Sequence, residues 1–417
     1  MKFENHRLEN GLTIVAECNP SAHSTALGFF VNTGARDETD EVAGVSHFLE
    51  HMIFKGTPRR SADDVNREFD EMGAHYNAYT SEEHTVYYAS VLPEHQSGCV
   101  ELLGDLLRPS LRAEDFDMEK KVIREEIKMY LDQPPYGMDD RVKRLCFGDH
   151  PIARSVLGDD DTIAALSPEQ MRSYFDTHYA PETITLAAAG NVDFESLVQQ
   201  AEQACGGWRP SSAIRPAVEA VGGRVFESVR VDAATQQYAL WLAPGPDAAS
   251  PDRYAAKLLA TILGDDSGSR MYWELVDPGL VESCSLGHYE YDGVGMYYTW
   301  LACSPDEVEA NLARLQKLLQ DAEQYGVSAE ELEQARNKVK SRVVLGSERP
   351  RARLFSVGVG WMQGRGYRST ADDLAAVDTV TVDDLRRLLK EWPPSAGSVV
   401  TVGPREGVAS PEGFPAP

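Results

Sequence analysis

The chain has 417 residues, 42% of them apolar and 25% charged, which is long enough for two or three domains with real cores and too apolar for disorder as the main state. Its 66 acidic and 40 basic side chains leave a net charge of −26, which repels nucleic-acid phosphate and anionic membrane. Excess acid serves solubility first, and it would also attract a basic or neutral peptide.

The six cysteines (Cys18, Cys99, Cys146, Cys205, Cys284 and Cys303) form no C-x-x-C pair and are too scattered for a disulfide framework. A thiolate metal site is therefore not signalled, and a reducing compartment fits best. Met1-Lys2-Phe3-Glu4-Asn5-His6 lacks the basic-then-apolar order of a signal peptide, and no apolar run approaches membrane-spanning length. The expected location is the cytoplasm, with no membrane and no nucleic-acid partner.

In chain order, Leu12 to Ala16 and Thr25 to Val31 are apolar or alternating runs bounded by Gly, Asn and Pro, and predict strands. A loop from Gly34 to Glu41 leads to a helical pattern from Ala43 to Phe54, which Lys55-Gly56-Thr57-Pro58 stops. A second helix spans Asp63 to Met72, with Ser61 as its cap. Asn77 to Val91, rich in Tyr, Thr and Val, predicts a strand pair. Helices follow over His95 to Leu107 and Ala113 to Leu131, Ser167-Pro168-Glu169 opens another, and Ile184 to Ala189 predicts a strand.

Between Cys205 and Gly223 the composition shifts to Gly, Pro, Ser and Ala (Gly206-Gly207-Trp208-Arg209-Pro210-Ser211-Ser212), the best linker candidate. The second half then repeats the order of the first. A strand is expected over Gln237 to Leu242, a helix over Arg253 to Leu263, strands over Ser283 to Tyr289 and Gly295 to Cys303, and helices over Pro305 to Tyr325 and Ala329 to Leu345. Strands interleaved with long helices give two α/β or α+β domains, and the shared order suggests a duplicated fold. Residues 404–417 read as a loose tail.

The chemistry is concentrated in Val45-Ser46-His47-Phe48-Leu49-Glu50-His51-Met52-Ile53. Residues three and four apart share a helix face, so His47, Glu50 and His51 form one stripe while Val45, Phe48, Leu49, Met52 and Ile53 cover the rest. A helix apolar all round is buried, and two imidazoles and a carboxylate inside it are costly unless something satisfies them. A metal ion does so: two neutral imidazoles one turn apart can hold one zinc, which lowers the pKa of a coordinated water toward about 7. Glu50 can take the proton from that water and pass it to a leaving amine. The competing account is a pair of buried structural histidines with a carboxylate partner, and the metal account needs a third ligand.

The helix around Glu126 offers one. Phe116, Glu119, Ile123, Glu126, Ile127 and Tyr130 fall on one face, and Glu125 points elsewhere as a solvated acid. Glu126 is assigned to zinc and Glu119 to a supporting position, where it can orient a histidine or the Glu126 carboxylate. An ion-pair network with Arg or Lys is the other possibility for these two acids.

At this point the sequence resembles the inverted-zincin peptidases of the pitrilysin, insulin-degrading and mitochondrial-processing type. The matching stretches are Leu8 to Leu12, Gly34-Ala35-Arg36-Asp37-Glu38, Gly44 to Thr57, Asn77-Ala78-Tyr79-Thr80-Ser81 and Glu119 to Glu126. The resemblance is strong over the first half and weak over the second. It implies zinc (one per chain) on His47, His51 and Glu126, Glu50 as general base, and Glu119 as the accessory glutamate. It implies an α+β, α/β-sandwich-like fold of two related domains, each a mostly antiparallel sheet packed with helices. The catalytic domain is placed at 1–210 and its relative at 223–403. It also implies that two subunits, either a homodimer or a heterodimer with a related chain, close around a chamber.

Asn77, Ala78, Tyr79 and Thr80 match the strand that pairs with the substrate backbone in that family, a form of strand addition suited to an extended, unfolded peptide. A plain core strand is the alternative. The second half departs from the pattern. Where an arginine and then a tyrosine are expected to bind the substrate carbonyl, this chain has Val276 and Glu282, so either another group (Arg270, His288, Tyr289 or Tyr291, which spacing does not single out) takes that role or a different subunit supplies it. His75 and His84 read as surface or supporting histidines, and His150 as a loop residue. For Asp139 and Asp140 the resemblance to the mitochondrial relatives implies acids that attract basic substrate residues, and a solvated loop is the alternative. The expected activity is zinc-dependent endopeptidase or oligopeptidase cleavage; a non-catalytic or partner-dependent subunit is the alternative.

Overall fold

The computed structural model describes residues 1–132, 135, 137–211, 215, 218 and 220–414. The first half contains β1 (Lys2–Arg7), β2 (Thr13–Cys18), β3 (Thr25–Val31), α1 (Val45–Ile53), α2 (Ala62–Glu71), β4 (His75–Thr80), β5 (Thr85–Val91), α3 (Gln96–Leu106), α4 (Ala113–Asp132), α5 (Met138–Phe147), α6 (Asp160–Ala165), α7 (Pro168–His178), β6 (Ile184–Gly190) and α8 (Phe194–Cys205). The second contains β7 (Phe226–Arg230), β8 (Gln237–Gly245), α9 (Arg253–Gly264), β9 (Ser283–Tyr291), β10 (Val294–Cys303), α10 (Val308–Tyr325), α11 (Ala329–Ser347), α12 (Pro350–Met362), α13 (Thr370–Thr379), α14 (Val382–Glu391) and β11 (Ser398–Gly403). Every element expected from sequence has a counterpart at or near its expected span. Ser61 caps α2 as expected, accepting from the Asp64 N–H.

The strands form two sheets, ordered β1-β2-β6-β3-β5-β4 and β7-β11-β8-β10-β9. With β1 set aside the two orders are the same: β2 through β6 correspond in turn to β7 through β11. In each sheet the first and last of these five strands pair in parallel (β2 with β6, β7 with β11) and every other pairing is antiparallel. The fold is thus α+β, with two related, mostly antiparallel sheets packed with helices.

The chain divides into two compact units, one of Met1–Lys128, Arg154–Pro216 and Val344–Arg368, the other of Met129–Ala153, Ala217–Val343 and Ser369–Pro417. Each half therefore lends a segment to the other's unit. In the second unit, Met138, Val142 and Cys146 of α5 pack with Leu240, Leu242 and Val400 of its sheet. In the first, Leu354 and Val357 of α12 pack with Val15, Phe30 and Ala187. A Cβ on Gly358 would lie 2.5 Å from the Phe30 ring, so the close seating of α12 requires glycine there. The boundaries 1–210 and 223–403 cut across this exchange, because periodicity reports that a helix has an apolar face and not which sheet it meets.

Two further expectations need correction. Residues 404–414 are not loose: Val408 and Phe414 join the second core, and the Phe414 ring meets Trp241 edge-on at 5.3 Å. Residues 415–417 lie outside the described residues. Asp139 and Asp140 stand in the first turn of α5 rather than in a loop, where the helix dipole favours acid. Of the linker candidate, Trp208 is buried beneath the Arg108 guanidinium, 3.8 Å from its ring centroid, while residues 212–214, 216, 217 and 219 lie outside the described residues. No helix among the described residues is long and apolar enough to cross a membrane.

Candidate metal centre

Helix α1 starts from Gly44, whose φ of +88° is a left-handed conformation, and a Cβ there would meet Leu157 O at 2.5 Å. Val45, Phe48, Leu49, Met52 and Ile53 are fully buried, which turns the His47, Glu50 and His51 stripe to the opposite side. Nothing within α1 accepts the first backbone N–H groups. Buried Glu38 does so from outside: its Oε2 accepts from Gly44 N at 2.6 Å and its Oε1 from Ser46 N at 2.7 Å. Burial drives the Glu38 carboxyl up to about 8, against the Ser46 and Gly44 N–H groups, the Ser46 hydroxyl and the Arg154 charge. Both oxygens keep lone pairs toward the helix in either protonation state.

Helix α4 packs on α1 through Phe116, which stacks on Phe48 with centroids 4.6 Å apart and planes 18° apart. Ile123 and Ile127 extend the same buried face. Glu119 and Glu126 share it, whereas Glu125 is exposed and pairs with Lys128 at 2.7 Å. Glu126 Oε2 lies 3.9 Å from His47 Nε2 and 3.8 Å from His51 Nε2. The candidate donor atoms of these three residues all lie within 4.8 Å of one another, a group that could hold a metal ion. Glu119 bonds His51 Nδ1 at 2.9 Å with one oxygen and Lys55 with the other.

The donor set fits zinc. With the proton on Nδ1 facing Glu119, His51 turns the lone pair of Nε2 toward Glu126. Burial, then the His51 charge, pulls the His47 imidazole down to about 3, so it is neutral and able to act as a ligand. Burial also pulls on His51, but the Glu119 hydrogen bond and the Glu126, Glu119 and Glu50 charges outweigh it and leave its pKa raised. Glu119 is held below the usual glutamate range by His51 first and also by Lys55, against burial. His47 Nδ1 is buried without a hydrogen-bond partner.

Burial pushes Glu50 above the usual glutamate range, while Thr80 Oγ1, donating to its Oε2 at 2.7 Å, opposes that rise. Thr80 ends β4, the outer strand of the first sheet. The four strand residues Asn77 to Thr80 do not form one surface. Ala78 packs toward the α1 side and Thr80 reaches Glu50, while Tyr79 turns to the opposite face against Phe355 and bonds His84 Nε2 at 3.0 Å. Asn77 is exposed, and its Oδ1 accepts from Ala78 N at 2.9 Å.

His75 is exposed at the start of β4. His150 Nδ1 accepts from Ile152 N and its Nε2 faces Val218 O, the bonding of a structural turn. In the second unit, Val276 ends a single π-turn (Tyr272–Val276) and Glu282 is exposed. Arg270 is held by Glu331 and Gly326 O, and His288 Nε2 lies 2.8 Å from Pro246 O. Sequence reasoning missed Glu38 and Lys55 as supports. Gly34 to Glu38 stood out only as a matching stretch, and no spacing rule links a loop acid to a helix start.

The family model for insulinase, peptidase family M16, matches residues 13–160, and that for the peptidase M16 inactive domain matches residues 165–339. The chain is 32% identical to an uncharacterized zinc protease of Streptomyces coelicolor, over 95% of this chain and 88% of that one. It is 30% identical to an uncharacterized zinc protease of Bacillus subtilis, over 93% and 95%. A protease from Helicobacter pylori has the same fold (TM-score 0.90, 19% identity, 97% of this chain and 99% of that one). So does a peptidase M16 inactive domain from Pseudomonas fluorescens (TM-score 0.90, 16% identity, 100% of both). Identity across nearly the whole of two zinc proteases, together with the two family matches, establishes that this chain belongs to peptidase family M16.

Proposed function

We propose that this chain is a zinc-dependent endopeptidase that cleaves extended, unfolded or short polypeptides. The observation that carries the reading is the meeting of His47, His51 and Glu126 around one point, with Glu50 on the same helix stripe. The three would hold one zinc ion per chain, with Glu119 fixing the His51 ring. When bound, zinc supplies Lewis-acid activation of water at neutral pH. Glu50 is the general base: it takes a proton from the attacking water and returns it to the leaving amine. Thr80 holds one oxygen of that base, and the outer strand β4 receives the substrate backbone by strand addition. The net charge of −26 favours basic or neutral peptides. Six unpaired cysteines suit a reducing, cytoplasmic setting, and the active form is a dimer closing around a chamber.

A second reading is favoured by Val276 and Glu282 at the positions expected to bind the substrate carbonyl. On that reading the chain is a subunit that an unlike partner must complete. A quenched unstructured peptide, compared with the same sequence inside a folded domain, tests the proposal. Cleavage of the free peptide alone is expected. Cleavage of both would remove the substrate class, and cleavage of neither by the zinc-loaded chain would favour the second reading.

A further inference from the structure

His51 and His47 are held very differently. The ring of His51 is tethered through Nδ1 to Glu119, itself bonded to Lys55. His47 has no such tether, since its Nδ1 is buried with no partner. Its place relative to Glu126 therefore depends on where the backbone of α1 begins. That backbone is fixed by Glu38, which receives Gly44 N and Ser46 N, the latter from the residue directly before His47.

The anchor is itself rigid. Glu38 closes a single 3-10 turn, Ala35–Asp37, by donating its N–H to Ala35 O. Arg36 of that turn is paired with buried Glu83, and Asp37 with Arg215 at 2.7 Å. On the helix side, Ser46 Oγ bonds Tyr174 Oη at 2.8 Å, and Tyr174 Oη bonds Thr33 Oγ1 at 2.7 Å. Two short hydrogen bonds to one buried side chain, 2.6 and 2.7 Å, fix both distance and direction, so this is a two-point joint between the Gly34–Glu38 loop and the helix start.

We propose that Glu38 is a positioning residue of the metal centre, setting His47 through the backbone of α1 as Glu119 sets His51 through its ring. The inference rests on the zinc reading above. It predicts that weakening the joint lowers zinc affinity more than its effect on folding would explain.

The test is the zinc dissociation constant, by chelator competition, for the native chain, Glu38→Ala, Glu38→Gln and Leu106→Ala, a fully buried residue of α3 in the same unit. Supporting partners of metal ligands are worth roughly 10–100-fold in affinity, so Glu38→Ala is expected to weaken zinc binding at least about tenfold. Glu38→Gln keeps one acceptor and should fall between Glu38→Ala and native. Leu106→Ala should lose stability and keep native zinc affinity. Native affinity in folded Glu38→Ala would overturn the proposal. If the alanine variant does not fold, the glutamine variant decides, and native affinity there overturns it. Equal weakening by Leu106→Ala would also overturn it, by showing that general destabilisation is enough. Failure of the native chain to bind zinc would instead bring down the zinc reading on which the proposal rests.

Discussion

Phe116 of α4 stacks on Phe48 of α1, and three helical turns further along α4 Glu126 faces His47 and His51. The apolar contact and the donor set thus belong to one helix–helix interface. Phe116→Ala should lower stability by about 3–5 kcal/mol, the usual cost of emptying a buried phenylalanine site. It should also weaken zinc binding, because α4 loses its seat on α1. Denaturant unfolding of the metal-free protein and chelator competition measure the two effects. Loss of stability with native zinc affinity would show that the stack does not place Glu126.

The hydrogen bond from Thr80 to Glu50 joins the outer strand to the proposed base. A hydrogen bond to a charged group is worth about 1.5–3 kcal/mol, so Thr80→Val should reduce kcat/KM by roughly tenfold or more. Thr80→Ser keeps the hydroxyl and should stay near native. Equal rates for the valine and serine variants would mean that the hydroxyl does not hold the base.

His84 supplies a pH dependence away from the metal ligands. Burial first, then the Arg215 charge, lowers it from 6.5 to about 4, so the folded chain keeps it neutral while the unfolded chain protonates it below 6.5. The unfolded state then binds more protons. Its contribution to stability is complete above 6.5 and is lost as pH falls toward 4. Within that window the loss is about 1.4 kcal/mol per pH unit. His84→Asn should flatten the dependence, read by denaturant unfolding at pH 7 and pH 5. An unchanged slope in the variant would contradict the assignment.

The candidate site was legible in sequence to the extent that it is helical. His47, Glu50 and His51 share a stripe at intervals of three and four, and Glu119 and Glu126 are seven apart with Phe116 and Ile123 on their face, so periodicity alone turned them inward. Glu38 was not legible as a helix cap, because its bonds to Gly44 and Ser46 cross a loop that has no period. Strand β1 went unread because Lys2 to Arg7 carries almost no apolar residue: it is a largely exposed edge strand held by its pairing with β2. The exchange of α5 and α12 is a tertiary choice. The apolar faces of Met138, Val142 and Cys146 and of Leu354 and Val357 could each have met either sheet. Phe414 looked like tail because its neighbours are Pro, Gly and Ala, yet its ring against Trp241, Val408 in the same core and the Gln316 bond to Glu412 O hold the segment.

The most direct measurement is zinc content together with cleavage of a quenched unstructured peptide, for the native chain and Glu50→Gln. The account predicts one zinc per chain in both proteins and cleavage by the native chain alone, because Glu50 moves the proton without holding the metal. A native chain that binds no zinc would contradict it.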